Sequence, residues 1–156
     1  SHHDLPMANA PADELALTDF APFRALNDLP MGMTAHIVVP AYDADAPSTQ
    51  SARMISVIRR EIGFQGLLLT DDLTMEALSG TLAERTARAI QAGCDVALHC
   101  NGTRSEMAEV AAAAGALTDA ALGRADAALA RRLRPDPIDE SALLAELDAI
   151  LTPARV

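Results

Sequence analysis

Lysine is absent from this chain: all twelve of its basic residues are arginines. No Schiff base can form on a lysine here, and a Walker-type phosphate loop would lack its essential residue. Tryptophan is missing too, aromatic side chains make up only 3% of the residues, and alanine dominates the apolar half of the composition. The core must therefore be aliphatic, and helices should be abundant. Two cysteines, Cys94 and Cys100, flank an apolar run and are too few for a disulfide framework. They are expected to be reduced and buried. Positive charge is scarce, and a net charge of −10 argues against nucleic acid as a partner. No run is long enough to span a membrane and no leader peptide is visible, so a cytoplasmic protein without a membrane partner is expected.

What is present is organised around Gly66-Leu67-Leu68-Leu69-Thr70-Asp71-Asp72-Leu73-Thr74-Met75. An unbroken apolar run that stops at two carboxylates reads as a strand buried on both faces, its end opening into a site. Adjacent strand residues point to opposite faces, so Asp71 and Asp72 should diverge rather than act as one dyad. Either can also serve as the cap of a following helix or turn.

Two further runs read as buried strands, Met31 to Val39 with His36 inside it, and Asp95 to Cys100. A histidine in such a strand is more often a hydrogen-bonded core residue than a ligand. Asp43 and Asp45 have the spacing of a calcium loop but lack its glycine and distal glutamate, so no metal is expected there. Helices are predicted from Thr18-Asp19 to about Asn27, from Ser48 to Ile62 with Gly63 as its stop, and from the capping box Thr81-Leu82-Ala83-Glu84 to Ala92 with Gly93 as its stop. Beyond Asn101-Gly102 lies alanine-rich helix, at about 104–114, 119–133 and 139–151. Strand, loop and helix alternate, which predicts an α/β fold with a parallel sheet. Three parallel strands would leave both sheet edges open, as in part of something larger.

Three stretches carry a resemblance. Met33-Thr34-Ala35-His36-Ile37 with Pro40, then Gly63-Phe64-Gln65-Gly66 leading to Thr70-Asp71-Asp72-Leu73-Thr74-Met75, then Ala92-Gly93-Cys94-Asp95 leading to Cys100-Asn101, resemble the bacterial β-N-acetylglucosaminidases (β-N-acetylhexosaminidases) of glycoside hydrolase family 3. The resemblance implies that residues 1–102 are the C-terminal part of a (β/α)8 TIM barrel, holding about its sixth to eighth strands. Residues 103–156 would be extra helices packing on it. It implies a retaining glycosidase that removes terminal β-N-acetylglucosamine, with Asp71 as nucleophile, and His36 at a strand end in reach of substrate. Ser1-His2 followed by Pro6 is similar to the end of the family's mobile Asp-Ser-His loop, which would make His2 the general acid/base. A histidine pair at a chain start is also what a purification tag leaves behind. No metal or cofactor is implied. The expected partners are an amino-sugar glycoside or muropeptide from peptidoglycan recycling in the cytoplasm, and the missing N-terminal half of the same barrel. The alternatives are a non-catalytic half-barrel and a phosphoacceptor or magnesium site on Asp71-Asp72. The latter would want a lysine on a later strand end, which this chain does not have.

Overall fold

Three parallel strands, β1 (Met31–Met33), β2 (Leu67–Asp72) and β3 (Val96–Leu98), form the sheet of the computed structural model, which describes residues 5–152. β2 lies in the middle, with Met31 opposite Leu67 and Leu69 opposite Val96. A parallel neighbour is reached only through a crossover, so helices lie between the strands as expected, with others before β1 and after β3. They are α1 (Ala12–Leu17), α2 (Ala21–Ala25), α3 (Ala52–Val57), α4 (Leu82–Ala92), α5 (Arg104–Ala114), α6 (Asp119–Ala130) and α7 (Glu140–Leu151).

The core lies between β2 and the helix layer. Leu68 packs with Met54, Ile55 and Val57 of α3 and with Phe64 and Cys94. Burial pushes the Cys94 thiol up to about 12, so it stays protonated. Cys100 departs from expectation, being exposed on the loop after β3. Both glycine stops are where the capping pattern placed them: Gly63 has φ +84° and Gly93 φ +114°, conformations that side-chain-bearing residues avoid.

Three elements differ from the sequence pattern. Thr18 closes α1 instead of opening a helix, its amide and hydroxyl both donating to the carbonyl of Glu14. β1 ends at Met33, far short of Val39. After the Thr34 amide bonds to the Leu69 carbonyl, the chain leaves the sheet, and Val38 exchanges backbone bonds with Pro6 and Ala8 while Ile37 accepts from Ser48. The predicted 48–62 helix is three pieces: a 3-10 turn at Ser48–Gln50, α3 capped by the Ser51 hydroxyl, and a π-helical turn at Ile58–Ile62. The hydroxyl of Ser51 also donates to Asp43 (2.5 Å), which ties the new helix start to the preceding loop.

At the N-terminal ends of the strands one carboxylate joins four elements. Asp95 is 5% exposed and receives Arg59 from the π turn (2.7 Å) and Arg124 from α6 (2.8 Å). It also accepts the amide of Leu68 in β2 (2.9 Å). By contrast, α7 buries none of its residues. No helix among the described residues is long and apolar enough to cross a membrane.

Removing one member of a buried pair leaves the other charge without its partner. Asp95→Ala should therefore lower the stability of the folded chain by about 3 kcal/mol, read from the urea midpoint. A loss below about 1 kcal/mol, the range of surface pairs, would show that the two arginines find other partners.

Candidate active site

The end of β2 is where polar side chains first enter the sheet. Thr70 is fully buried and spends its hydroxyl on the amide of Leu98 (2.8 Å), which stitches β2 to β3 just before the carboxylates. Asp71 and Asp72 then diverge. Leu68 packs into the helix-covered core, the β2–β3 register shifts between Leu69 and Asp72, and beyond that shift the two carboxylates take separate partners. One Asp71 carboxylate oxygen accepts the amide of Asp72 (2.8 Å), and the side chain is only partly buried.

Asp72 is a brace. One of its oxygens accepts the amides of Thr74 (3.0 Å) and Cys100 (3.2 Å), and the other accepts the Thr74 hydroxyl (2.7 Å). Burial works to raise its pKa, but the Thr74 and Cys100 donors and the nearby His99 outweigh it and hold the carboxyl below its ordinary value. Asp72 thus pins the turn after β2 to the turn after β3, the capping duty that the sequence left open for one of the pair.

His36 sits in the bend after β1 rather than in a strand, 4% exposed, with both ring nitrogens engaged. Nε2 lies 2.9 Å from the backbone carbonyl of Asp72, which can only accept, so Nε2 carries the proton. Nδ1 lies 2.9 Å from the hydroxyl of Thr49, which also donates to the Ala35 carbonyl (3.1 Å) and meets the Thr34 hydroxyl (2.8 Å). The residue that the resemblance offers as a substrate contact therefore clamps the carbonyl next to Asp71 from within the protein.

The loop that leaves β2 is held from α4. Arg85 donates to the carbonyls of Leu73 (3.0 Å), Met75 (3.2 Å) and Gly80 (2.9 Å). Neither Arg85 nor Thr49 stood out in the sequence; an arginine in the first turns of a helix and a threonine two residues after a proline are too common to signal a role. His99 lies at the end of β3, its ring nitrogens buried without a partner among the described residues. Among those residues no three His, Cys, Asp or Glu side chains converge to hold a metal ion. His2 lies outside the described residues, so the acid/base expected on it has no structural description here.

The Asp72 brace makes stability depend on pH. Its folded-state pKa is depressed, so the stabilisation is complete above the unfolded-chain value near 3.8 and drains away as the pH falls through the lower folded value. Asp72→Asn should lose stability at neutral pH and should lack this share of the acid sensitivity below about pH 4. Urea midpoints at pH 7 and pH 3 measure both; parallel acid losses in the two proteins would rule out the brace.

Comparison with known proteins identifies the family. The profile of the "Glycosyl hydrolase family 3 N terminal domain" matches residues 1–134. Over 106 residues the chain is 42% identical to the "Beta-hexosaminidase" of Bordetella parapertussis, a match covering 65% of this chain and 30% of that protein. Native NagZ from Neisseria gonorrhoeae superposes with a TM-score of 0.71 at 30% identity, covering 96% of this chain and 42% of that one. A glycoside hydrolase family 3 β-N-acetylglucosaminidase from Paenibacillus superposes at 0.70 with 26% identity, covering 100% of this chain and 30% of that one. The chain thus spans under a third of the length of the curated relatives it matches. With the profile covering most of its residues, the chain belongs to the glycosyl hydrolase family 3 N-terminal domain family, whose domain is of the TIM-barrel type.

Proposed function

We propose that this chain supplies the sixth to eighth strands of a family 3 barrel within residues 1–102. Its remaining helices, 103–156, pack against that barrel. Joined to the N-terminal strands, it hydrolyses terminal β-N-acetylglucosaminides with retention. The observation that carries the reading is the place of Asp71, partly buried at the C-terminal end of the central parallel strand. That is the end of the strands where barrel enzymes build their sites. The names of the relatives, a β-hexosaminidase and β-N-acetylglucosaminidases, supply the class of sugar.

In the proposed reaction Asp71 attacks the anomeric carbon, forming a glycosyl ester as the glycosidic C–O bond breaks. His2 gives its proton to the leaving oxygen. Water then attacks the anomeric carbon, His2 takes its proton, and the bond to Asp71 breaks to free its carboxylate. A histidine suits both roles because its ordinary pKa of about 6.5 lies close to neutrality. The proposed natural substrate is an N-acetylglucosaminyl muropeptide, handled in the cytoplasm during peptidoglycan recycling.

One observation favours a second reading for the chain taken alone, that of a partner awaiting its other half. Among the described residues the outer edge of β1 is unpaired, and beside it runs a groove of about 480 Å³ lined by Phe20, Phe23, Leu26, Met31 and Met33. Phe23 and Met33 are 61% and 56% exposed. A parallel strand with apolar side chains would satisfy both the edge and the groove.

Asp71→Asn in the full-length enzyme should cut kcat on a chromogenic N-acetylglucosaminide by at least about 10³-fold while leaving the fold intact by circular dichroism. The chain spanning residues 1–156 by itself should release no chromophore, and activity should return on adding the N-terminal strands. Full activity of the Asn variant would sink the nucleophile assignment; turnover by the lone chain would sink the half-barrel.

A further inference from the structure

The peptide groups that follow Asp71 find their partners in separate elements of the fold. The amide of Asp72 donates to Asp71 itself, and the Asp72 carbonyl takes His36 Nε2 from the bend after β1. The amide of Leu73 donates to the carbonyl of Leu98 at the end of β3 (3.0 Å). The amide of Thr74 goes to the Asp72 carboxylate. The carbonyls of Leu73 and Met75 both take Nη1 of Arg85, whose Nε reaches across to Gly80 at the far end of the same loop.

Arg85 is well placed for this. It stands one residue after the reciprocal Thr81–Glu84 capping box, so the base of its side chain is fixed by the helix start. Its backbone carbonyl is held in turn by the side chain of Gln50 (3.3 Å). The planar guanidinium donates in three places at fixed angles, which an ammonium on a flexible stem does not reproduce. Leu73, whose carbonyl it holds, is completely buried. The loop is therefore fastened at its beginning, middle and end by one side chain.

We infer that Arg85 is a positioning residue for Asp71: by fixing the loop from Leu73 to Gly80 it keeps the Asp72 amide aimed at the Asp71 carboxylate. The inference rests on the reading of Asp71 as nucleophile. Loss of Arg85 takes this donor from the Leu73 carbonyl, leaves the Met75 carbonyl with the Leu78 amide alone, and lets the turn after Asp72 rearrange. Arg85 acts through the loop and not on substrate, so its removal changes the rate of attack more than binding.

The test uses the full-length enzyme with Arg85→Lys, Arg85→Ala and, as a control, Arg60→Lys at an exposed arginine of the π turn. On a chromogenic N-acetylglucosaminide, kcat should fall by roughly 10- to 100-fold in both Arg85 variants, the effect of a displacement near 1 Å. KM should stay within about threefold, since uniform binding is untouched. Added guanidinium should restore part of kcat to Arg85→Ala and none to Arg85→Lys, whose ammonium fills the space. Unchanged kcat, a fall no larger than the lost folded fraction, or an effect carried wholly by KM would each overturn the inference. If the unmodified full-length enzyme hydrolyses no N-acetylglucosaminide, the glycosidase reading fails. The loop can then be judged by amide hydrogen exchange at residues 72–74: faster exchange in Arg85→Lys supports the positioning role, and an unchanged rate overturns it.

Discussion

A strand that ends inside a protein hands its backbone a problem. Once the ladder stops, each amide and carbonyl must find a new partner or bear the cost of going without one. In this chain the problem arises directly after Asp71, and its solution organises the upper half of the molecule. His36, Leu98, the Asp72 carboxylate and Arg85 each take one or two of these groups. The four come from the bend after β1, the end of β3, β2 itself and α4. Satisfying the backbone and orienting the candidate nucleophile are thus one task. Few of these residues can change without disturbing the others, because each holds a neighbouring peptide unit.

The two ends of the sheet use charge differently. At the N-terminal ends Asp95 is almost wholly enclosed and both its oxygens are occupied, one by Arg124 and the other by Arg59 and a backbone amide. Such a group holds elements together and is closed off from a ligand. At the C-terminal ends Asp71 is partly exposed and accepts the amide of its own neighbour. This division between a closed end and an open end is the one that barrel enzymes show. Here it is drawn by Asp95 at one end and by Asp71 and Asp72 at the other.

Legibility in the sequence followed the range of the interactions. β2, its two diverging carboxylates, the Thr81–Glu84 box and the stops at Gly63 and Gly93 depend on residues within a turn of one another, and they could be read. The early end of β1 could not. Ile37-Val38-Val39 has strong strand character, but its partners are Pro6, Ala8 and Ser48, which no local pattern announces. Thr18-Asp19 looked like a helix start because a hydroxyl serves at either end, and here the hydroxyl of Thr18 bonds backward to Glu14. His36 was recognisable as a residue at the site, yet the atom it holds is the Asp72 carbonyl, thirty-six residues away and without any side-chain signature. Arg85 was hidden for the same reason: its acceptors are all carbonyls, which every residue has.

The salt-bridged Asp95 also bears on where this protein begins and ends as a folding unit. Sequence identity to the curated relatives is confined to about 106 residues, and the alanine-rich helices beyond carry little recognisable pattern. Arg124 nonetheless reaches from α6 into the centre of the sheet's lower end. Through that one guanidinium the least distinctive stretch of the chain becomes a third leg under Asp95. That contact ties α6 to the sheet, so α6 should melt with it, whereas α7, which buries none of its residues, has no such tie.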